Sequence, residues 1–347
     1  MNSLRKACLM ALGAATLAIT APTQAEIVSE DILKGVTISG LIEVNAWQTE
    51  GYDGVDSSDV TLATVELAID AQIHKWVSGH VVFLFEEDAT EQVTVDVGYI
   101  TVGNTDYSPL YLSAGRMYLF GGYESNMISD PLTLDIGETQ VSAIKVGFDA
   151  AGAYGSVYAY NGDTQKNADD KIENFGVGLG YALESNGVLV DVGVDYTSNL
   201  LDSGGMMNNI ANITAVDDYV GGIVAHATLG FGGFSLIAEY LTALDPIKAS
   251  DFAFNGVDAE PNALNVEAAY SAALGGKDVT FAVGYQTSEE ALNLASAESR
   301  ILVGVGVGIF DNTSLKFEWK RDTDYEVVDG GTGNDADTFT VQLAVQF

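Results

Sequence analysis

Ala63-Thr64-Val65-Glu66-Leu67-Ala68-Ile69-Asp70-Ala71-Gln72-Ile73 is the stretch whose reading decides the fold. One face carries Ala63, Val65, Leu67, Ile69, Ala71 and Ile73. The other carries Thr64, Glu66, Ala68, Asp70 and Gln72. A period of two is the mark of a half-buried strand. Val188 to Tyr196 repeats it, with Val188, Val190, Val192, Val194 and Tyr196 against Leu189, Asp191, Gly193 and Asp195. Sixteen such segments are expected, starting near residues 36, 62, 77, 93, 110, 140, 153, 174, 188, 219, 234, 264, 279, 300, 314 and 338.

The connections between them sort by length. Short ones fall at 74–76, 103–109, 149–152, 184–187, 230–233, 275–278 and 310–313. Long ones fall between them, at about 47–59, 86–91, 117–139, 161–173, 198–218, 244–262, 287–298 and 321–337. An up-and-down sheet puts alternate connections on opposite ends. Outer-membrane barrels have short periplasmic turns and long external loops, whereas Greek-key sandwiches give no such sorting. The expected fold is therefore an all-β, antiparallel, up-and-down transmembrane barrel of about sixteen strands.

Charge follows the same phase. Glu43, Glu66, Asp70, Asp96, Lys145, Asp191, Asp195, Glu239, Glu267, Lys316 and Glu318 lie opposite the apolar stripe. A barrel this wide has a wet interior, so these are expected to face the lumen and the stripe to face lipid. Trp47, Trp76, Tyr99, Tyr181, Tyr196, Tyr219, Tyr270 and Trp319 are expected in the interfacial girdles. The chain closes on Phe339-Thr340-Val341-Gln342-Leu343-Ala344-Val345-Gln346-Phe347, apolar at every second position. That is similar to the terminal strand read by the barrel-assembly machinery of bacterial outer-membrane proteins.

The first 25 residues read as a secretory signal, with Arg5 and Lys6 before an apolar run from Ala7 to Ala21 and a cleavage site at Thr23-Gln24-Ala25. Residues 26–35 would be a short periplasmic segment and 36–347 the barrel. No later run is long and apolar enough for a membrane helix. The sole cysteine, Cys8, leaves with the leader, so disulfides and a zinc framework are excluded. Of 347 residues, 14 are Lys or Arg and 49 are Asp or Glu, a net charge of −35. Nucleic-acid binding, which needs a basic surface, does not fit. Abundant Tyr, Phe, Val and Ile exclude a disordered acidic chain.

The acids are unevenly placed. The long connections hold 32 acids against Lys166, Lys171, Lys248 and Arg321, and the short turns hold five. Such an outer mouth should draw cations and repel anions. It can equally be a solvated acidic surface bridged to lipopolysaccharide by divalent cations. Residues 117–139 are the expected constriction loop, with Glu124, Asp130, Asp135 and Glu138 supplying negative field and Arg116 opposite.

The most distinctive stretch is Ser113-Ala114-Gly115-Arg116, then Phe120-Gly121, Glu124-Ser125, Ile128-Ser129-Asp130-Pro131-Leu132-Thr133 and Gly137-Glu138-Thr139. It resembles the LbtU-like, legiobactin-receptor type of outer-membrane siderophore porin. The match covers about 27 residues, and the run 62–85 is also similar. Where that family carries a proline before Phe-Gly, this chain has Leu119. The resemblance implies a porin-like channel linked to ferric-siderophore uptake. Only Glu26 to Gly35 lies between leader and first strand, too little for the plug of an active transporter. Passage would then be passive.

Other motifs are weak. Gly176-x-Gly178-x-Gly180 and Gly304-x-Gly306-x-Gly308 lie inside strands and read as lumen-face glycines that admit close approach, not as dinucleotide sites. His74, His80 and His226 sit on separate elements. Residues 289–295 could form a short helical turn. No catalytic set, cofactor site or metal site is expected, and the chain is not read as an enzyme. The expected function is a passive, cation-preferring porin in the outer membrane. The alternative is a structural or surface-interaction barrel with a closed lumen. Small cationic solutes or a ferric siderophore, and a second copy in a homo-oligomer, are the further partners weighed.

Overall fold

A computed structural model of the chain describes residues 35–87, 92–166, 171–294 and 296–347. The leader at 1–25 and nearly all of the segment 26–35 lie outside the described residues.

Sixteen antiparallel strands close into one barrel. In chain order the first nine are β1 (Val36–Glu50), β2 (Asp56–His74), β3 (Val77–Phe85), β4 (Thr94–Gly103), β5 (Leu110–Phe120), β6 (Thr139–Ala150), β7 (Ala153–Tyr160), β8 (Asn174–Ser185) and β9 (Val188–Thr197). Then come β10 (Gly222–Phe231), β11 (Phe234–Ala243), β14 (Asn262–Leu274), β15 (Lys277–Glu289), β16 (Ser299–Phe310), β17 (Thr313–Thr323) and β18 (Asp335–Gln346). Between β11 and β14, β12 (Ala253–Phe254) and β13 (Val257–Asp258) form a small separate hairpin in one loop. Helix α1 (Leu132–Gly137) lies between β5 and β6, and α2 (Gly204–Met207) between β9 and β10.

Closure joins β18 to β1, with Leu41 opposite Gln346 and Glu50 opposite Asp337. The Phe347 and Gly40 backbones exchange two hydrogen bonds, at 2.8 and 3.1 Å. A Cβ at Gly40 would stand 2.5 Å from the Phe347 ring, so the terminal aromatic occupies the space that this glycine leaves.

Alternation along the strands produces two faces. Val177, Leu179, Val192, Val194, Ile144 and Val303 are each more than 40% exposed except Val192, at 39%. Their phase is the outer, lipid-facing one, and on β9 Asp191 and Asp195 take the other phase. A belt of exposed apolar residues this continuous is the surface of a membrane barrel. Among the described residues no helix is long and apolar enough to cross a membrane.

Strand starts agree with the alternation to within about three residues, except β2. It begins at Asp56, because Ser57 to Asp59 pair with Trp47 to Thr49 above the apolar zone. Hydrogen bonding runs on where the hydropathy pattern has stopped. The phase also slips once in β4. Val95 is 51% exposed and Val97 only 3%, across a β-bulge opposite Val82 and Phe83. A bulge inserts one residue and turns the following side chains over. Tyr99 consequently points inward against the His80 ring, 5.3 Å between centroids. Trp47, opposite Thr340, likewise shares the inner phase of Glu43 and Asn45. Neither residue belongs to a girdle. The helical turn expected at 289–295 is a single 3-10 turn, Leu292–Leu294.

Candidate functional site

The chain leaving β5 does not stay at the rim. Residues 121–138 cross to the opposite side of the barrel and run along the inner wall there. The path is fixed by hydrogen bonds. The Gly122 and Tyr123 amides donate to Glu239 Oε2 on β11, at 3.3 and 3.0 Å. Glu124 accepts from Thr228 on β10, 3.0 Å. The Asn126 amide donates to Glu267 on β14, 2.7 Å. Met127 packs among Ala269, Ala282 and Leu302. The Ile128 and Ser129 amides and the Ser129 hydroxyl all donate to Glu318 on β17.

There the loop turns back. Arg300 on β16 donates to the Asp130 carbonyl, 3.1 Å, and the Leu132 amide donates to Gln286 on β15, 3.2 Å. The Thr133 hydroxyl then reaches Glu239 again. Glu239 thus grips both the outgoing and the returning arm. The loop is a hairpin laid on the β10–β17 wall, closed at its neck by one carboxylate. Carboxylates that accept several N–H and O–H bonds make the stronger, charge-assisted kind.

The anchors are set by register. His226, Glu239, Asn265, Gln286, Arg300 and Asp322 face one another directly across β10, β11, β14, β15, β16 and β17. Arg300 pairs with Asp322 at 2.5 and 3.3 Å. Lys320 reaches the same carboxylate at 3.1 Å. This polar row runs beneath the returning arm.

The loop is held from above as well. Ser203 donates to the Ile136 carbonyl, and the Gly204 amide to that of Glu138, 2.9 Å. Phe120, Tyr123, Leu132, Leu134 and Ile136 form one buried core with Leu200, Leu201, Met206, Ile210, Val216, Val220, Ile247 and Phe252. The long connections after β9 and β11 therefore fold over the hairpin and bury apolar surface inside the mouth. Their acids serve this packing. Asp202 is buried and accepts from the Asp163 and Thr164 amides, the Thr164 hydroxyl and Asn199. Burial still raises its carboxyl above the ordinary value, against those bonds. Asp135, on α1, is pushed up to about 6 by burial, with Asp130 adding to the rise. Arg300 and a bond from Ser296 act against it.

The wall of β6–β9 carries different chemistry. Asp191 accepts from the Tyr154 hydroxyl at 2.7 Å, and His226 Nε2 lies 3.2 Å from that hydroxyl. Asp195 sits over Gly178, where a Cβ would come within 2.0 Å of its Oδ1. The rings of Tyr158 and Tyr154 likewise lie on Gly176 and Gly180. Lys145 faces Ser113 and Tyr158 across β5 and β7. Further round, Asp70 bonds His80 at 2.7 Å. Glu43 and Glu66 lie on adjacent strands, β1 and β2, both buried. Lys316 faces Gly306 and Gln342.

Two residues singled out in the sequence stand elsewhere. Register puts Arg116 on the phase of Ala114 and Ile144, which is the outer one, and its guanidinium bonds Gln140 at 2.7 Å. Asp96 stands at the β4 bulge and accepts from Tyr118 and the same Gln140. Arg116 does not face the acids of the loop. The sequence reading passed over Gln286, Arg300, Asn265 and Thr228. All four share the inner phase with the acids it named, so phase alone could have found them. The fold-back of 198–221 is signalled by Leu200-Leu201, Met206-Met207, Ile210, Val216 and Val220, apolar residues in a segment otherwise typical of a solvated loop.

No family model matches the chain. It is similar to the UPF0422 protein lpg2959 of Legionella pneumophila, 27% identical over 344 residues, covering 87% of this chain and 64% of that protein. A UPF0422 protein of Coxiella burnetii is 28% identical over 301 residues, covering 84% and 64%. The chain spans less than two thirds of the length of these curated relatives. Among solved structures it is similar to the outer-membrane channel DcaP of Acinetobacter baumannii (TM-score 0.61, 14% identity, 90% of this chain and 97% of that one). The anion-selective porin from Comamonas acidovorans is similar too (TM-score 0.62, 13%, 90% and 99%). So is Pseudomonas putida OprB (TM-score 0.63, 10%, 90% and 94%). At these identities the likeness is one of fold. The chain is a closed sixteen-stranded barrel of the porin type, and its place is the bacterial outer membrane.

Proposed function

We propose that the chain is a passive porin that prefers cations, with the 121–138 hairpin as its constriction. The carrying observation is the hairpin's course: Glu239, Glu267 and Glu318 hold it against one wall. Those acids are spent on loop amides. The field that a solute meets then comes from Glu124, Asp130, Asp135 and Glu138 on the loop and from Asp191, Asp195 and Asp70 on the rest of the lumen. Lys145 and Lys316 oppose them in smaller number. Excess lumenal carboxylate favours cations. The sign of selectivity must come from these side chains, since a porin of the same fold is described as anion-selective.

Planar-bilayer recording in a KCl gradient tests the reading. A reversal potential of the cation-selective sign is expected. Replacing Asp191 and Asp195 by Asn should move it toward zero, and neutralising the four loop acids together should move it further. Anion selectivity in the unmodified protein would sink the proposal.

A second reading has its own support. The apolar core built by the long connections inside the mouth suits a barrel used as a surface structure with its lumen shut. Absence of any conductance would favour it. A siderophore link rests on the resemblance over 113–139. It predicts poorer iron-limited growth of a deletion strain, relieved by ferric siderophore only when the gene is restored. Lipopolysaccharide around the apolar belt, the assembly machinery at the Phe347 strand and a homo-oligomer complete the proposed partners. An outer-membrane protein of Vibrio cholerae with this fold is described in a trimer form, which makes crosslinking in native membranes the natural check.

A further inference from the structure

The hairpin encloses polar groups that neither it nor the wall satisfies. Asn265 is 0% exposed, and neither its Oδ1 nor its Nδ2 has a hydrogen-bond partner among the described residues. Glu267 and Gln286 are as deeply buried, and Glu267 Oε1 and Gln286 Nε2 are likewise unpartnered. From the loop side, Asn126 Nδ2 adds a third unpartnered donor. These groups are neighbours. Asn265 is the direct partner of Glu239 on one side and Gln286 on the other, and Glu267 follows two residues along the same face. The Asn126 amide bonds Glu267 itself.

The chemistry of the set selects its occupant. Two acceptors and three donors lie along one stretch of wall and loop without a protein partner among the described residues, and leaving such groups bare in a closed interior is costly. A metal cation would answer the oxygens and leave the amide N–H groups bare. An anion would do the reverse, beside a carboxylate. Water donates and accepts at once and settles where two to four polar groups can hold it. We propose that the hairpin encloses a cluster of bound water held by Asn265, Glu267, Gln286 and Asn126. Glu239, Glu267 and Glu318 fasten the hairpin directly through its amides, and the water fills the polar space left between them. This adds to the reading of the hairpin as a constriction and rests on that reading only for its effect on current.

The sign of one substitution tests it. Asn265→Leu is close to isosteric and removes only atoms that have no protein partner. A dry site would be relieved of a buried amide, and the barrel would melt at the same temperature or higher. A wet site would lose its central ligand and strand Glu267 and Gln286. The melting temperature, read by heat-modifiable gel migration in lipopolysaccharide-free detergent, should then fall by roughly 5 °C, with noisier open-channel current. An unchanged or raised melt overturns the proposal. Should Asn265→Leu fail to insert, a high-resolution crystal map of the unmodified protein decides. Density bridging Asn265 and Glu267 at hydrogen-bond distances supports the cluster. A dry interior or metal-length contacts overturn it. So would a melt that EDTA lowers, calcium restores and Glu267→Gln makes indifferent to both. The melt needs no current, so a barrel that does not conduct would sink the porin reading and leave this one standing.

Discussion

Two stretches of the inner wall are built from the same strand phase and both present carboxylates, yet they do opposite work. On β10–β17, Glu239, Glu267 and Glu318 are buried under the hairpin and committed to its amides. On β6–β9, Asp191 and Asp195 lie beside tyrosine and histidine side chains over a floor of glycines. A carboxylate's role in a lumen is set by what crosses in front of it, not by its place in the strand. The contrast also says where each substitution should be felt: in loop position on one wall, in strand packing on the other.

The comparison breaks most plainly at Glu239. Glu239→Ala removes the acceptor for both arms, and loss of a buried charge-assisted network of this kind costs on the order of 3 kcal/mol. Single-channel conductance should rise and flicker, and protease should cut within 121–138. A quiet, unchanged channel would mean that the neck is held by packing alone.

On the other wall, Gly176→Ala sets a methyl 2.1 Å from the Tyr158 ring. Overpacking of this sort costs about 1–3 kcal/mol. A lower melting temperature with unchanged ion selectivity is the expected result.

The hairpin's pH response is smaller. Asp135 has its carboxyl raised to about 6. A raised acid disfavours the docked loop once ionised. Docking is therefore tightest below the ordinary carboxylate value and weakens as pH rises through about 6, by an amount of order 1–2 kcal/mol after allowing for its partial exposure. Current noise should grow between pH 5 and 7.5, and Asp135→Asn should flatten that dependence. The smallest effect belongs to Gly306→Ala, whose new methyl meets Lys316 at an ordinary 3.6 Å. Its melt should match the parent's, which sharpens the claim that Gly176 matters for space.

The strands were legible because membrane and lumen impose a strict period of two, plain in Ala63 to Ile73. Legibility failed where another force took over. Hydrogen bonding carried β2 out to Asp56, and one inserted residue at the β4 bulge reversed Val97 and Tyr99. At the site, the segment 117–139 could be chosen from its position and its acids. Its anchors could not, because Glu239, Glu267 and Glu318 lie more than a hundred residues downstream and the pairing follows from barrel closure rather than local pattern. Arg116 is a different case: its alternation with Ala114 puts it on the outer phase, which outweighs its nearness in sequence to the loop acids.

The length of those connections has a kinetic meaning. The hairpin leaves β5, but its anchors span 106 to 190 positions ahead in the chain. The contacts to Glu318 cannot form until β17 is in place, and contacts of such high order are the slow ones to find. Glu239 and Glu267, on β11 and β14, can take up the neck and Asn126 earlier, so the tip of the hairpin is the last part to be fastened.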